Sequence, residues 1–152
     1  MLNEDTVKIL NNLVQTSQDS KNGFVEAAHD ATKPELKCFF QRRSGDCETA
    51  VTELQGLVQS LGGAPSTSEN NSGAADHDWL VVKMAVGDAN LSALRDVEHA
   101  EDRAEAAYVM ALAAVLPHRI RSVVQRQHNG AIRNYDHIRD LRNAYRDLNF
   151  AH

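Results

Sequence analysis

The sequence predicts an all-α fold in which four long helices form a single domain. The 152 residues are 42% hydrophobic but only 5% aromatic, and they include just 8 glycines and 3 prolines. This composition disfavours sandwiches and barrels, which need many turns. In four segments, apolar residues recur every three or four positions, which is the period of an amphipathic helix. We therefore expect a helical bundle over residues 1–152.

The helices are expected at about 4–30, 33–61, 88–115 and 117–148, with a short extra helix at 77–86. The second helix has a clear start, because Thr32 and Glu35 have capping-box spacing and Pro34 falls in the first turn. Its end is equally clear, since a Gly-Gly pair followed by Ala64 and Pro65 stops a helix. Residues 62–76 have the composition of a linker.

The lengths of the connections predict the topology. Only a few residues join the first helix to the second and the third to the fourth, so each pair is expected to be an antiparallel hairpin. Segment 62–76 could extend about 50 Å at 3.3 Å per residue, enough to cross the length of the bundle. Two hairpins joined by such a crossover have the connectivity of ferritin-like bundles. The alternative is a short return loop carrying a bulge.

Polar residues interrupt the apolar stripe near the middle of every helix. They are Ser17, Asp19 and Lys21 in the first helix, Arg43 and Asp46 in the second, Glu98, Glu101 and Glu105 in the third, and Gln127, Asn134 and Tyr135 in the fourth. Buried charge is costly unless it is paired or bound to metal. One hypothesis is therefore a di-metal carboxylate centre, and the other is an internal network of ion pairs and hydrogen bonds.

A di-metal centre needs a Glu from each of two helices and a Glu-x-x-His pair from each of the other two. Glu26 and His29 form the only such pair, and they lie near the end of their helix. Asp96 and His99 are a variant, but His99 is out of phase with Glu98 and Glu101. Because the sequence cannot supply all six ligands, the network of Arg43, Lys21, Glu98, Glu101 and Gln127 is the favoured interpretation, and a reduced or single-metal site is the alternative.

Charge is distributed unevenly along the chain. Residues 117–147 hold seven arginines and three aspartates, whereas residues 88–105 hold six acidic residues and two arginines. Since these segments form one predicted hairpin, we expect the arginines to pair within the molecule. The net charge of −5 also opposes binding to a phosphate backbone. The sequence thus predicts no nucleic-acid partner.

Other features predict a cytoplasmic protein that does not span a membrane. The longest apolar runs, such as 111–117, fall far short of the roughly 20 residues that a span requires. The N-terminus lacks the basic start and apolar middle of a secretory signal. Cys38 and Cys47 are nine positions apart in one predicted helix, so they cannot bridge each other. We expect both to be thiols of the core in a reducing compartment.

Several spaced elements of this chain resemble an uncharacterised bacterial family. The elements are Leu10-Asn-Asn-Leu13, Asp19 with Gly23-Phe24, Leu54 with Leu61-Gly62-Gly63, Trp79, Glu98 with Glu101-Asp102 and Tyr108, and Gln127 through His137-Ile138-Arg139-Asp140-Leu141-Arg142. The family is found mainly in proteobacteria, belongs to the ferritin-like superfamily and is labelled a domain of unknown function. The similarity covers nearly the whole chain, and it implies a ferritin-like fold without an established activity.

The resemblance also bears on a metal site. Relatives tend to carry His at the position of Tyr135, and this difference argues against a metal role here. If a site exists, the resemblance and the polar stripe name its candidates: Asp19, Asp46, Glu98, Glu101 and Tyr135. No cofactor is expected, and iron or another divalent metal is the alternative. The sequence therefore favours a non-enzymatic interaction or stress-protection protein that associates with itself as a homodimer or with another protein. A di-iron-type oxidase or ferroxidase is the alternative function.

Overall fold

The computed structural model describes residues 3–66 and 88–150, with side chains through 148. Its four helices are α1 (Asn3–Asp30), α2 (Pro34–Ser60), α3 (Ala89–Ala113) and α4 (His118–Phe150), and no strand occurs in these residues. The predicted all-α four-helix bundle is confirmed. The expected short helix at 77–86, and the expected linker beyond residue 66, lie outside the described residues.

Contacts between the helix ends establish the path of the chain. Gly63, just after α2, packs on Val7 near the start of α1 so closely that a Cβ would lie 2.8 Å from Val7 Cγ2. At the opposite end, the side-chain oxygen of Asn90 accepts a hydrogen bond of 2.8 Å from the backbone N–H of Thr32. α2 therefore ends at one end of the bundle and α3 begins at the opposite end.

The two ends of α2 differ in how closely they follow the expected pattern. At its C-terminus, Gly62 has φ +80° and its N–H bonds to the carbonyl of Gln59, while the N–H of Gly63 bonds to Val58. This is a Schellman motif, as the glycine pair indicates. The expected capping box is wrong, because Lys33 occupies the N-cap without a side-chain bond. The hydroxyl of Thr32 instead accepts a hydrogen bond from Asn90 Nδ2.

Two apolar clusters form the core, one toward each end of the bundle. The first includes Leu10, Leu54 and Val124, and the second includes Phe24, Phe40 and Ile138. On α1, α3 and α4 a polar stretch separates the residues of the two clusters, whereas on α2 the polar residues Arg43 and Asp46 lie between Phe40 and Cys47 of the second cluster. The polar interruptions in the sequence therefore form a layer at mid-height between two apolar regions.

The helices do not pack equally closely. Backbone packing joins α1 to α2, α1 to α3 and α3 to α4. Side chains link α2 to α4, among them Phe39 and His137, whose ring centroids are 4.9 Å apart. The face between α2 and α4 is therefore bridged by side chains and lacks the close backbone packing of the other three faces. No described helix has an apolar stretch long enough to span a membrane.

Candidate functional site

A cavity of about 380 Å³ occupies the polar layer. Ser17 and Ser20 of α1 and Glu101, Ala104 and Tyr108 of α3 form its inner wall. The exposed side chains that line it belong to α2 and α4: Asp46, Thr49, Arg126 and Arg133. The cavity therefore reaches solvent between these two helices, where the bundle is open.

Arg43 lies at the centre of the cavity wall. Its Nη1 donates to Oδ2 of Asp46 at 3.1 Å, one turn further along α2. Its Nη2 lies 3.6 Å from Oε2 of Glu101 on α3. The guanidinium carbon is also 5.3 Å from the ring centroid of Phe24, which gives a cation–π contact. One buried cation thus contacts carboxylates from two helices and an aromatic ring from a third.

Glu101 is the most deeply buried acid of this layer, with a side chain only 2% exposed. Removal from water raises the pKa of its carboxyl group above the ordinary 4.5, because burial disfavours the charged form. The positive charge of Arg43 and a hydrogen bond from Ser20 act in the opposite direction but do not cancel the effect of burial. Glu101 therefore takes up a proton more readily than a carboxyl group in water.

A second polar group spans the layer beside Arg43. The hydroxyl of Tyr108 donates to Oε1 of Gln127 at 3.0 Å, and Nε2 of Gln127 donates to Oε1 of Glu53 at 2.8 Å. Arg126 pairs with the other oxygen of Glu53. This chain connects α3, α4 and α2, so the mouth carboxylate of Glu53 is neutralised within the protein.

Burial also raises the pKa of two further groups in the wall, Cys47 and Tyr108. Removal from water raises the pKa of the Cys47 thiol to about 12, and Arg43 only partly opposes this. The pKa of Tyr108 is likewise raised to about 12 by burial. Both groups are therefore neutral across the physiological range. Cys38, in contrast, is exposed, so the expectation that both cysteines lie in the core is wrong for this residue.

The structure brings together two of the five residues that the sequence suggested as metal candidates. Asp46 and Glu101 both line the cavity, but they contact opposite terminal nitrogens of Arg43. Glu98 instead contacts Arg142 on α4, at 2.6 Å from its Nε. Asp19 accepts a hydrogen bond from Gln15, and Tyr135 lies beneath Arg139, with 6.0 Å between ring centroid and guanidinium carbon.

The donor set of the layer does not fit a pair of metal ions. Metal pairs in bundle cores are held by inward Glu and His side chains from all four helices. Within the described residues, no group of three or more His, Cys, Asp or Glu side chains is arranged to hold an ion. The guanidinium of Arg43 contacts both Asp46 and Glu101, so it supplies the positive charge that a metal would provide.

Some residues of the layer were not among the sequence candidates. Glu53 was missed because it lies beside the apolar stripe of α2 and reaches the layer only through its partners on α4. The ring of Tyr108 packs in the first apolar cluster, but its hydroxyl belongs to the polar network. Only part of the expected charge network forms. Lys21 does not join it and instead pairs with Glu48 at the surface, 3.8 Å away.

Fold and site together define the class: a ferritin-like four-helix bundle with an ion-paired centre. Among solved structures, the chain is similar to a protein from Anabaena variabilis that contains dj-1/thij/pfpi-like and ferritin-like domains, with a TM-score of 0.78 and 13% sequence identity. The match covers 97% of this chain and 38% of that one.

Residues 5–114 match the family described as domain of unknown function DUF2383, and the chain belongs to that family. These two matches confirm the family and the ferritin-like fold that the sequence resemblance implied. No curated protein sequence matches the chain.

Proposed function

We propose that this chain is a non-enzymatic ferritin-like protein that acts through interaction with other proteins or in stress protection. The observation that supports the proposal is the position of Arg43. Its guanidinium contacts Asp46 and Glu101 at the centre of the bundle, where a di-metal protein of this fold needs inward carboxylate and histidine ligands. A bound metal would have to displace a buried cation that is already paired.

The competing function is a metal-dependent oxidase or ferroxidase with a reduced carboxylate site. To distinguish the two functions, the full chain is purified without a tag and incubated with ferrous iron under air. We expect no stoichiometric iron after desalting and no oxygen consumption above that of buffer. Iron bound at one or two equivalents per chain in the wild type, and lost in Glu101→Ala but retained in Asp136→Ala, would overturn the proposal.

An exposed apolar stripe on α3 supports a role in interaction. It consists of Ala106, Val109, Met110 and Ala113, which recur at the spacing of one helix face. Val109 is 54% exposed and Met110 is 74% exposed. Val115, in the turn that follows, is 75% exposed. Contiguous exposed apolar surface of this kind is typical of protein contact sites.

A second copy of the chain is the partner that this stripe fits. In a two-fold symmetric dimer, a patch contacts the same patch on the other copy, and an apolar patch is complementary to itself. We therefore propose a homodimer formed through α3. In the Anabaena variabilis protein, the ferritin-like domain shares its chain with a second domain, which is a further reason to consider a protein partner here.

Light scattering on the chromatographed full chain tests the homodimer. We expect a dimer for the wild type and a monomer for Met110→Lys, because a buried lysine would lack a partner. Val25→Lys is the matched control, since Val25 is 50% exposed on α1, away from the stripe. A monomeric wild type, or dimers that survive Met110→Lys, would refute self-association through α3.

We also propose a cytoplasmic location. The support is that Cys38 and Cys47 are both free thiols, one exposed and one buried. Thiols that remain unpaired are the usual state of cysteine in a reducing compartment. Fractionation of cells that express the full chain is the corresponding measurement, and recovery in an oxidising compartment would contradict the proposal.

A further inference from the structure

Beside the central cavity, one buried donor and one buried acceptor make no hydrogen bond with good geometry. Nε of Arg43 and Oε2 of Glu101 form none within the part of the chain that the structure describes, although Oε2 lies 3.6 Å from Nη2 of Arg43 as an ion pair. The two side chains are 9% and 2% exposed, and both line the cavity. Buried polar atoms in proteins are nearly always satisfied, so a group that both donates and accepts is expected beside them.

The other polar groups of the wall are already engaged. Asn134 donates to the carbonyl of Gly130 at 2.8 Å, and Thr49 donates to the carbonyl of Gly45 at 3.1 Å. Tyr108 donates to Gln127, which donates to Glu53. A ligand would therefore meet few competing polar groups in the interior besides Arg43 and Glu101.

The mouth of the cavity carries one cation without a counter-ion. Arg133 is exposed, lines the cavity and forms no ion pair with any described residue. Its Nη2 lies over Gly130, where a Cβ would be only 3.7 Å away. Arg126, by comparison, is paired with Glu53. A single negative charge at the mouth would complete the pairing of the cavity arginines.

Apart from Ser17 and Ser20, the remaining wall is largely apolar, and none of it is charged. Ala50, Ala104, Ala131 and the neutral thiol of Cys47 line the cavity. The volume of about 380 Å³ falls in the range of small-molecule sites, which is roughly 300–1,000 Å³. The cavity therefore has space for a compact ligand with an apolar body.

We propose that this cavity binds a small organic carboxylate that also carries a hydroxyl group. The carboxylate pairs with Arg133 at the mouth, and the apolar body packs against the alanines. The hydroxyl group donates to Oε2 of Glu101 and accepts from Nε of Arg43, since a hydroxyl has both capacities. A doubly charged phosphate is disfavoured because Asp46, Glu53 and Glu101 already line the same cavity.

This inference rests on the proposed function in one respect only: the centre of the bundle is occupied by the guanidinium of Arg43 and not by a metal ion. The two fail on different measurements. Iron bound in stoichiometric amount overturns the proposed function, whereas calorimetry with the ligands below, without iron, tests the cavity alone.

Three related probes separate the charge from the hydroxyl group. Mandelate has both, phenylacetate lacks the hydroxyl group, and mandelamide lacks the charge. In titration calorimetry with the full chain, we expect one mandelate per chain and about tenfold weaker binding of each of the other two, because each loses one polar interaction. Absence of mandelate binding, or equal binding of all three, would overturn the proposal. Binding of inorganic phosphate in preference to mandelate would do so as well.

Variants then locate the site. Arg133→Gln should weaken mandelate binding about tenfold and leave mandelamide unchanged. Arg119→Gln is the matched control, because Arg119 is also exposed on α4 but does not line the cavity. Ala131→Leu should abolish binding of all three probes by filling the cavity, and circular dichroism shows whether it is folded. Equal loss in both arginine variants, or full binding by folded Ala131→Leu, would refute the assigned site.

Discussion

The guanidinium of Arg43 and the carboxyl group of Glu101 face each other across the centre of the bundle, with 3.6 Å between Nη2 and Oε2. Their helices, α2 and α3, are not among the pairs joined by close backbone packing. The contact therefore exists only because both side chains extend into the central cavity. Because the two charges pair, the bundle can bury both side chains, which are 9% and 2% exposed, between two apolar clusters.

Removing one partner of this pair should destabilise the fold far more than removing both. Arg43→Met leaves Glu101 buried without its cation, and the expected loss in free energy of unfolding is about 3–5 kcal/mol. Arg43→Met with Glu101→Leu should lose much less, because no charge is left unpaired. Urea denaturation of the two variants measures the difference. Arg139→Gln, which breaks an exposed pair with Asp136, serves as the control and should cost less than about 1 kcal/mol.

The raised pKa of Glu101 predicts a specific dependence of stability on pH. With a folded-state pKa above the ordinary 4.5, the folded chain holds its proton while the unfolded chain has already released it. The stabilising contribution of Glu101 is thus complete below about pH 4.5 and is lost as pH rises through the higher folded pKa. Glu101→Gln cannot ionise and should lack this loss.

Urea denaturation at several pH values compares the wild type with Glu101→Gln. We expect the stability of the variant relative to the wild type to increase from about pH 4.5 upward. Asp136→Asn, at an exposed position, should show no such trend. A difference between Glu101→Gln and the wild type that stays constant with pH would show that burial does not raise the pKa of Glu101.

The two cysteines provide an internal comparison of thiol reactivity. Cys38 is exposed, whereas Cys47 is buried and burial raises its pKa to about 12. Because the thiolate is the reactive form, iodoacetamide at neutral pH should modify Cys38 quickly and Cys47 only when the protein unfolds. Mass spectrometry of Cys38→Ser and Cys47→Ser separates the two rates. Rapid modification of Cys47 in the native protein would contradict its buried, neutral state.

His128 on α4 should be a site at which an apolar residue stabilises the protein. The imidazole is 9% exposed, and neither ring nitrogen has a hydrogen-bond partner among the described residues. It stacks on Tyr108 with ring centroids 5.6 Å apart, a contact that phenylalanine can keep. His128→Phe should therefore raise the free energy of unfolding by about 1 kcal/mol. His137→Phe makes the same exchange of imidazole for phenyl at an exposed position of the same helix, so it tests whether the effect depends on burial. Equal stabilisation at both positions, or a loss at His128, would mean that the buried imidazole carries no such cost.

The helices and their order were predictable because the signals are local. The period of apolar residues, Pro34 at the start of α2 and the Gly62-Gly63 stop all act within a few residues of the chain. The capping box failed for the opposite reason. Thr32 has the right spacing to Glu35, but its backbone N–H and hydroxyl are taken by Asn90, which is distant in sequence.

The sequence by itself determined that each helix carries polar residues at its midpoint, and therefore that four such stretches meet in one layer. Only the tertiary structure decided which of them touch: Arg43 with Glu101, Glu98 with Arg142, and Gln127 with Glu53. The physical reason is that helical periodicity defines a face to within a residue or so, whereas an ion pair depends on helix rotation and separation at a finer scale. The central cavity arises at that same scale, because α2 and α4 stand apart where the other neighbours pack closely.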